Sequence, residues 1–600
     1  MVCDNVDYVF EVSSEVANKV GGIYTVLKTK TTYIHEILGD KYVMVGKLDQ
    51  KSLAEISEIS PPEDIMKAFE VLNKMGIKTA YGKWVGGDNV NVVLIGPKDY
   101  MMQTTSYYDK GIEKRDSYLN YAKFKLWEWY QIDSLNSHWD FDENIAWSWC
   151  VGIFLEQFYQ QTQKKTVAHF HEWISGAGLL YCKKNTPEIG TVFTTHATVL
   201  GRTISSTGRD VLGECSGKIK KINVSEAYRY KVEAKHQLEA STASTADVFT
   251  TVSETVAMEV EYILGRYPDI ITVNGMDFRG SSIEFKPEIA EYVKNELKEF
   301  IESYFAPYYE LDYSDSVFVF TSGRYEYDNK GYDIFIDSLA ELNNRIKGKD
   351  NKRNVFAFLF VPSESTGAKL SVIKNYLTTD KIYELLHKQG IEQDQYSNMH
   401  EAFRTLPEDK KKLFFSLINN YIKEGSTPPL SAYDLRYDRD KILRELAKKG
   451  LMNREEDVVK VIFYPTYLGP SDGLLELPYY DIVSGFDAGI FVSRYEPYGY
   501  TPVEAALKLN IAVTSDMSGF GRYMVEKNAV GKGLRVINMY NTPVQESVIQ
   551  LANIFEEIYK TDKHTLKIWK EEANQLVHDH TNWGKLIRHY VKAYEMAVLN

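Results

Sequence analysis

The chain has 600 residues, 44% of them hydrophobic, with a formal net charge of −13 and four cysteines. That length and hydrophobic share point to more than one domain with substantial cores, and the negative balance argues against a nucleic-acid backbone as the main partner. Cys3, Cys150, Cys182 and Cys215 show no C-x-x-C spacing, so neither a zinc ribbon nor a disulfide framework is indicated. The first residues, Met1-Val2-Cys3-Asp4, carry neither a basic region nor an apolar signal core, and no apolar run approaches the length of a membrane span. A cytoplasmic protein with no membrane partner is the expectation. Most of the 43 tyrosines are read as packing, although aromatic rings also stack well on sugar faces.

In chain order, residues 6–12 predict an opening strand, and Lys19-Val20-Gly21-Gly22-Ile23-Tyr24 a glycine turn running into a helix. Two glycines at such a corner let a phosphate or sugar touch the backbone, although a tight turn is the commoner reason for them. The fingerprint G-x-G-x-x-G is absent, so a dinucleotide is not implied. Further strands at 42–45, 92–95, 166–171, 191–195, 247–252 and 270–273 alternate with helical stretches. Buried strands separated by helices predict a parallel sheet covered on both faces, ending near Asn274-Gly275. A second series at 317–320, 355–361, 458–463, 490–492 and 511–514 predicts another such sheet. Between 363 and 457 the chain is rich in Lys, Glu, Asn and Leu and too long for an ordinary loop. It reads as inserted helices that pack on the second domain or pair with a neighbouring subunit. Helices at roughly 544–577 and 583–599 close the chain.

Three stretches carry candidate chemistry. In His169-Phe170-His171-Glu172-Trp173, alternation puts both histidines on one face, and a metal pair with His196 is conceivable. No carboxylate stands at a recognisable ligand spacing, so a hydrogen-bonded strand-end histidine is the stronger reading. Asp140-Phe141-Asp142 spells D-x-D, a three-residue match that arises by chance. In Gly323-Arg324-Tyr325-Glu326-Tyr327-Asp328-Asn329-Lys330-Gly331, Arg324 and Lys330 are two cations that a pyrophosphate would recruit, with a polar surface loop as the alternative. The third stretch runs from Ser493 to Ala506 between a strand and a helix, where open α/β sheets place ligands. There Thr501 can cap the helix, Pro502 suits its first position, and Gly499 permits close approach. The helix start offers a seat for phosphate. Glu496 and Glu504 flank that seat with seven residues between them, interleaved with Tyr495, Tyr498 and Tyr500. The plainer alternative makes Glu504 the closing residue of a capping box with Thr501. Ser515–Gly521 supplies a further glycine-rich loop at a strand end.

The run Ser-Arg-Tyr-Glu-Pro-Tyr-Gly-Tyr-Thr-Pro-Val-Glu at 493–504 resembles the E-x7-E motif of retaining GT-B glycosyltransferases, and especially glycogen synthases of the animal and fungal type. Further matching blocks lie at 19–25, 169–173, 194–202, 246–253, 323–331 and 518–521; the central insertion matches least. The resemblance implies an α/β protein of GT-B fold, with two Rossmann-like domains facing a central cleft. It divides the chain into an N-terminal domain at 1–275 on the acceptor side, linker helices at 276–311, a nucleotide-sugar-binding domain at 312–580 with its insertion at 363–457, and a last helix at 581–600 that crosses back. It implies a retaining transfer of glucose to the 4-hydroxyl at the non-reducing end of an α-1,4-glucan such as glycogen, with no metal and no cofactor. UDP-glucose is the expected donor, ahead of ADP-glucose, and a homotetramer the expected assembly.

Residue by residue, Lys19 would support the nucleotide phosphates, with Gly21 and Gly22 in the same donor loop. Arg324 and Lys330 would bind the diphosphate, and Arg202 lies in another donor-side block. His171 would hold a hydroxyl of the donor glucose, with His169 structural. Glu496 would contact that glucose and stabilise positive character at its anomeric carbon. Tyr498, Gly499, Tyr500 and Thr501 would frame the donor, and Glu504 would orient its ribose. One block departs from the pattern. Where the family carries a run of arginines that binds glucose 6-phosphate, residues 564–576 contain none, and Glu571 and Glu572 would repel a phosphate. Lys567 and Lys570 lack the planar fork of arginine, so the stretch reads as an ordinary charged surface helix and the enzyme as one not activated by that sugar phosphate. Two rivals remain: a glucan phosphorylase, whose pyridoxal phosphate lysine has no recognisable motif here, and a non-catalytic glucan-binding protein.

Overall fold

The structure, a computed structural model, describes residues 5–217, 221–279, 283–313, 315–348, 353–392, 395–396, 398–437 and 439–599. The four N-terminal residues read above for the lack of a signal, Cys3 among them, lie outside this set. The chain divides into two compact units, residues 1–277 with 581–600, and residues 278–580.

Strands of the first unit are β1 (Tyr8–Val12), β2 (Tyr42–Lys47), β3 (Ile56–Glu58), β4 (Lys78–Trp84), β5 (Asn91–Gly96), β6 (Thr104–Asp109), β7 (Ile112–Ser117), β8 (Thr166–His171), β9 (Gly190–Thr195), β10 (Val248–Thr251) and β11 (Ile270–Ile271). Nine of them form one sheet in the order β11-β10-β9-β8-β1-β2-β5-β4-β3. From β11 to β5 the pairing is parallel, and β4 and β3 add an antiparallel edge. Every residue of β8 and β9 is buried, as expected of strands covered on both faces. The C-terminal helix Arg588–Leu599 packs against β8, β9 and β10. Its approach is so close that a Cβ on Gly190 would stand 2.3 Å from the Ala597 carbonyl oxygen. The antiparallel edge and the β6–β7 hairpin were not foreseen from the sequence. The hairpin strands alternate between exposed and half-buried residues or lie mostly exposed, so they lack an apolar run.

The second unit holds β12 (Val317–Ser322), β13 (Val355–Phe360), β14 (Ser365–Ala368), β15 (Tyr433–Leu435), β16 (Val459–Tyr464), β17 (Ala488–Phe491), β18 (Ile511–Ser515) and β19 (Leu534–Ile537). Six of them make a wholly parallel sheet, β16-β13-β12-β17-β18-β19. The helix Pro287–Phe305, read from sequence as part of a linker, buries Val293, Leu297 and Phe300 in this unit's core with Phe318, Phe358 and Phe486. The segment at 363–457 opens on β14, which pairs antiparallel with β15, and carries the helices Leu370–His387, Met399–Thr405, Glu408–Ile418 and, after β15, Lys441–Lys448. Ile382, Leu386, Ala402 and Phe414 give it a small core of its own. No helix among the described residues is long and apolar enough to cross a membrane.

Both parallel sheets have a point where chain order reverses. In the first unit the chain builds outward from β1 through β2 and β5, then returns to lay β8, β9 and β10 on the other side. In the second it runs from β12 through β13 to β16, then returns to place β17, β18 and β19 on the other flank. Loops leaving the carboxyl ends of the two strands at such a reversal diverge and leave a crevice, the usual ligand seat in open α/β sheets.

Candidate active site

At the second unit's switch point, the loop after β12 carries Arg324 and Lys330 and the loop after β17 carries Glu496. Lys330 Nζ donates to Glu496 Oε2 at 2.5 Å, with both side chains about one-fifth exposed. Arg324 pairs with Glu326 at 2.9 Å and is 70% exposed. The two loops are stitched together nearby. Arg494 makes a bidentate pair with Asp333 at 2.6 and 2.7 Å, and its backbone N–H donates to the Asn329 carbonyl at 2.7 Å. Gly331 sits at φ +68, where a Cβ would stand 1.9 Å from the Val492 carbonyl oxygen, so only glycine closes this crossing. The Ser515–Gly521 loop joins them: the Gly519 N–H donates to the Glu496 carbonyl at 3.0 Å and the Phe520 N–H to that of Tyr498 at 2.8 Å.

The helix after β17 spans Thr501–Leu507 with Tyr500 at the N-cap and no side-chain cap. Thr501 is therefore the first helical residue and not the cap, and Pro502 follows it. Glu504 does not close a capping box either, since its Oε1 accepts from the Tyr480 hydroxyl at 2.9 Å. Burial raises its carboxyl to about 6 against the opposing pull of that bond. Gly499 at φ +102 turns the chain beside Glu496. The Tyr498 ring packs 5.2 Å from that of Tyr500, while the Tyr498 hydroxyl is buried with no hydrogen-bond partner among the described residues. A phenol left unpaired in a protein interior is costly and marks a place where a polar ligand would be welcome.

At the first unit's switch point, the loop after β1 leads through exposed Lys19 into Gly21 and the helix Gly22–Leu38. That helix has no side-chain cap at Gly21. Glu15 serves instead, accepting from the Gly21 and Tyr24 N–H groups at 2.8 Å each. Next to β1, Glu172 follows β8 and opens the helix Glu172–Asn185 at φ +64, a strained backbone for a non-glycine residue. Its carboxylate accepts from the His196 N–H at 2.8 Å. Burial raises its carboxyl, and Arg202 together with the His196 and Ala197 N–H groups pulls the other way. Arg202 itself is exposed on the short helix Val199–Ser205.

Below this lies a buried network. β1 and β8 run in register with Glu11 beside His169, which brings Glu11, His169 and His171 onto one face. The sequence offered no carboxylate at a recognisable ligand spacing from the histidine pair because this one is 160 residues away from His171. Their ligand atoms lie within 4.8 Å of one another, the spacing of a metal site. Yet the cation of this cluster is Lys30, which bonds Glu11 with both side chains fully buried. Tyr42 donates to the other Glu11 oxygen. His169 is bonded by Thr194 at 2.7 Å and Tyr594 at 3.2 Å, which fits the structural part given it above. His171 is 1% exposed and has both ring nitrogens engaged, by Glu11 at 2.6 Å and His196 at 3.0 Å.

The D-x-D residues are held by lysines, Asp140 by Lys235 at 2.5 Å and Asp142 by Lys123 at 2.8 Å. The stretch at 564–576 lies in the helix Lys563–Thr581 and differs from a plain surface helix. Leu566, Ala573 and Val577 are buried, and Lys563, Lys567 and Lys570 line a pocket of about 580 Å³ with Lys294 and Arg353. Reading one helix in isolation hid the two cations contributed from elsewhere. Four of these charges have acidic partners, Lys570 with Asp487 at 2.6 Å, Arg353 and Lys563 with Asp315 at 3.6 and 3.7 Å, and Lys567 with Glu571 at 3.9 Å.

Comparison with known proteins places the chain in a family. The sequence model of the glycogen synthase family matches residues 11–600. Glycogen [starch] synthase of Neurospora crassa is 31% identical, covering 98% of this chain and 83% of that one. Isoform 2 of the Saccharomyces cerevisiae enzyme is 30% identical over 98% of this chain and 86% of its own. Among solved structures, the catalytic domain of starch synthase IV from Arabidopsis thaliana, bound to ADP and acarbose, aligns with 99% of this chain and 100% of that chain, at 12% identity and a TM-score of 0.49. On the family model and these full-length relatives, the chain belongs to the glycogen synthase family, glycosyltransferases that add glucosyl units to a glucan.

Proposed function

We propose that the donor is UDP-glucose and the acceptor the non-reducing end of an α-1,4-glucan, with retention of anomeric configuration. The observation that carries this reading is the meeting of Lys330 and Glu496 at 2.5 Å, from the two loops that leave the second unit's switch point. Arg324 and Lys330 take the diphosphate and neutralise the charge that develops as the nucleotide leaves. Lys19, beside the helix start at Gly21 and Gly22 whose N–H groups Glu15 now holds, is a phosphate ligand on the first unit, with Arg202 on its donor side. Glu496, already the partner of a lysine, stabilises positive character at the anomeric carbon. Glu504 accepts from the ribose hydroxyls near the Thr501 amide, and Tyr498, Gly499 and Tyr500 frame the donor. The leaving-group work is assigned to fixed cations, so no metal is required.

Titration of UDP-glucose against ADP-glucose with glycogen as acceptor tests the donor. A higher kcat/KM for UDP-glucose is expected, and a preference for ADP-glucose would overturn the choice. Digestion of the product with an α-specific glucanase tests retention. The inserted helices expose Leu370, Leu377, Leu413 and Phe415, which supports assembly through this segment, and light scattering is expected to give a tetramer. A strict monomer would leave the insertion without that role.

A further inference from the structure

Within the second unit, the loop that bears Arg324 and Lys330 leans on the inserted segment. After β15 the insertion ends in the helix Lys441–Lys448, capped by Asp440. One oxygen of that cap, Oδ1, accepts from the Ile442 N–H at 2.8 Å and the Leu443 N–H at 3.2 Å. The other, Oδ2, accepts from the Tyr325 hydroxyl at 2.9 Å and the Ser363 hydroxyl at 3.4 Å. The Tyr325 oxygen in turn accepts from the Ile442 N–H at 3.3 Å. Tyr325, the chain neighbour of Arg324, is therefore held by its tip at a helix start. Burial raises its phenol, so the hydroxyl keeps its proton and donates. Lys441 adds a second hold. Its Nζ donates to the two Asp328 oxygens at 3.2 and 3.0 Å and lies 4.0 Å from the centre of the buried Tyr327 ring.

These contacts sort the side chains of the loop. Tyr325, Tyr327 and Asp328 turn to the inserted helix, and Arg324 and Lys330 turn elsewhere, to Glu326 and Glu496. The main chain is pinned as well, since the Arg324 carbonyl accepts from the Tyr332 hydroxyl at 3.0 Å and the Glu326 N–H at 2.7 Å. The pair of Lys441 with Asp328 is exposed enough to be an ordinary surface contact. The bond from Tyr325 to Asp440 differs: it is part-buried, charge-assisted, and uses the carboxylate oxygen that the helix cap leaves over.

We propose that Asp440 and Lys441 of the insertion are positioning residues for the transfer, fixing the loop at 323–331 so that Arg324 and Lys330 meet the diphosphate in one geometry. This rests on the part given to those two cations above. It also gives the insertion a place in the reaction besides assembly, because a displacement of the helix Lys441–Lys448 is passed to the loop through Tyr325, Tyr327 and Asp328.

Variants of the full chain that keep the helix cap test this. Asp440→Ser retains a capping oxygen but is too short to reach Tyr325, and Tyr325→Phe removes only the hydroxyl. Each should lower kcat/KM for UDP-glucose about tenfold, less than a full ångström of misplacement would cost. UDP should bind more weakly by a similar factor, and the KM for glycogen should not change. The double variant should fall no further than either single one, since both remove the same bond. Asp440→Asn caps equally well and is long enough to bond the hydroxyl, so it should recover most of the loss. Additive losses, or a smaller active fraction with unchanged UDP affinity, would overturn the positioning role. Hydrogen exchange gives a readout that does not depend on the donor. The amides at 324–331 should exchange faster in Asp440→Ser than in the wild type, with β12 unchanged, and wild-type exchange there would overturn the proposal. If the wild type fails to use UDP-glucose, the donor assignment falls, and the exchange result still decides whether the insertion fixes the loop.

Discussion

The two switch points solve the same problem in opposite ways. In the first unit the charged groups lie deep: Glu11, Lys30 and His171 are 1% exposed or less and engaged with one another. In the second unit the charges stand near the surface in pairs that a ligand can replace, with Arg324 70% exposed on Glu326 and Lys330 on Glu496. A buried set of this kind is preorganised and cannot rearrange without loss of stability. Paired cations on a loop can exchange a carboxylate for a phosphate oxygen at little cost, since a partly exposed ion pair contributes little by itself. The comparison suits the second unit's exchangeable pairs to a ligand's phosphate charge and the first unit's buried set to holding a fixed geometry.

Substitutions at either point sharpen that division. The largest effect is expected on stability, from Lys30→Met, which leaves the Glu11 carboxylate buried and uncompensated and should cost about 3–5 kcal/mol. Denaturant melts would show it; a wild-type melt would mean that Glu11 takes up a proton readily and that the network is looser than its geometry. Next comes Arg324→Ala, which should fold normally and reduce turnover about a hundred- to a thousandfold, as loss of one preorganised charge at a developing charge does. Near-normal turnover would place the diphosphate elsewhere.

An intermediate effect is expected from pH. Burial raises the Glu504 carboxyl to about 6, and its proposed ribose contact needs the ionised form. Donor KM should therefore rise about tenfold as pH falls from 7 to 5, and Glu504→Gln should show a high KM that no longer varies. The stability linkage has the opposite sign. A folded pKa above the ordinary 4.5 means that the native state binds the proton more tightly, so this group favours folding as pH drops from 6 toward 4.5. Lost affinity in that window would then not be unfolding by this residue. A flat KM in the wild type would remove Glu504 from the ribose.

The smallest expected effect is that of glucose 6-phosphate. Lys563, Lys567 and Lys570 are opposed by Asp315, Glu571 and Asp487, and the stretch at 564–576 has no arginine fork. Little or no rise in rate is expected at millimolar effector. A several-fold activation would show that the pocket they share with Lys294 and Arg353 binds it after all.

What the sequence made legible follows from how local each signal is. The buried parallel strands β8, β9, β12, β13 and β18 stood out because each is a continuous apolar or β-branched run between turn residues. Polar strands such as those of the β6–β7 hairpin have no such run. The residues Arg324, Lys330, Glu496 and Glu504 could be singled out because they sit in short blocks at strand ends. Their partners were not, because pairing is tertiary: Glu504 bonds Tyr480, Arg494 bonds Asp333, and Glu11 meets His171 across 160 residues. Thr501 was misplaced by one position because a Thr-Pro pair reads as cap and first turn whether or not the preceding tyrosine holds the cap. The strain at Glu172 has no sequence signature, since non-glycine residues at positive φ are set by surroundings.

The central claim is that fixed cations of the second unit carry the departure of a uridine diphosphate without a metal. It is tested most directly by incorporation of labelled glucose from UDP-glucose into glycogen, in EDTA, by wild type and by Arg324→Ala. Full incorporation by the wild type and a loss of about a hundredfold or more in the variant are predicted. A strict requirement for a divalent metal, or equal rates for the two proteins, would contradict the account.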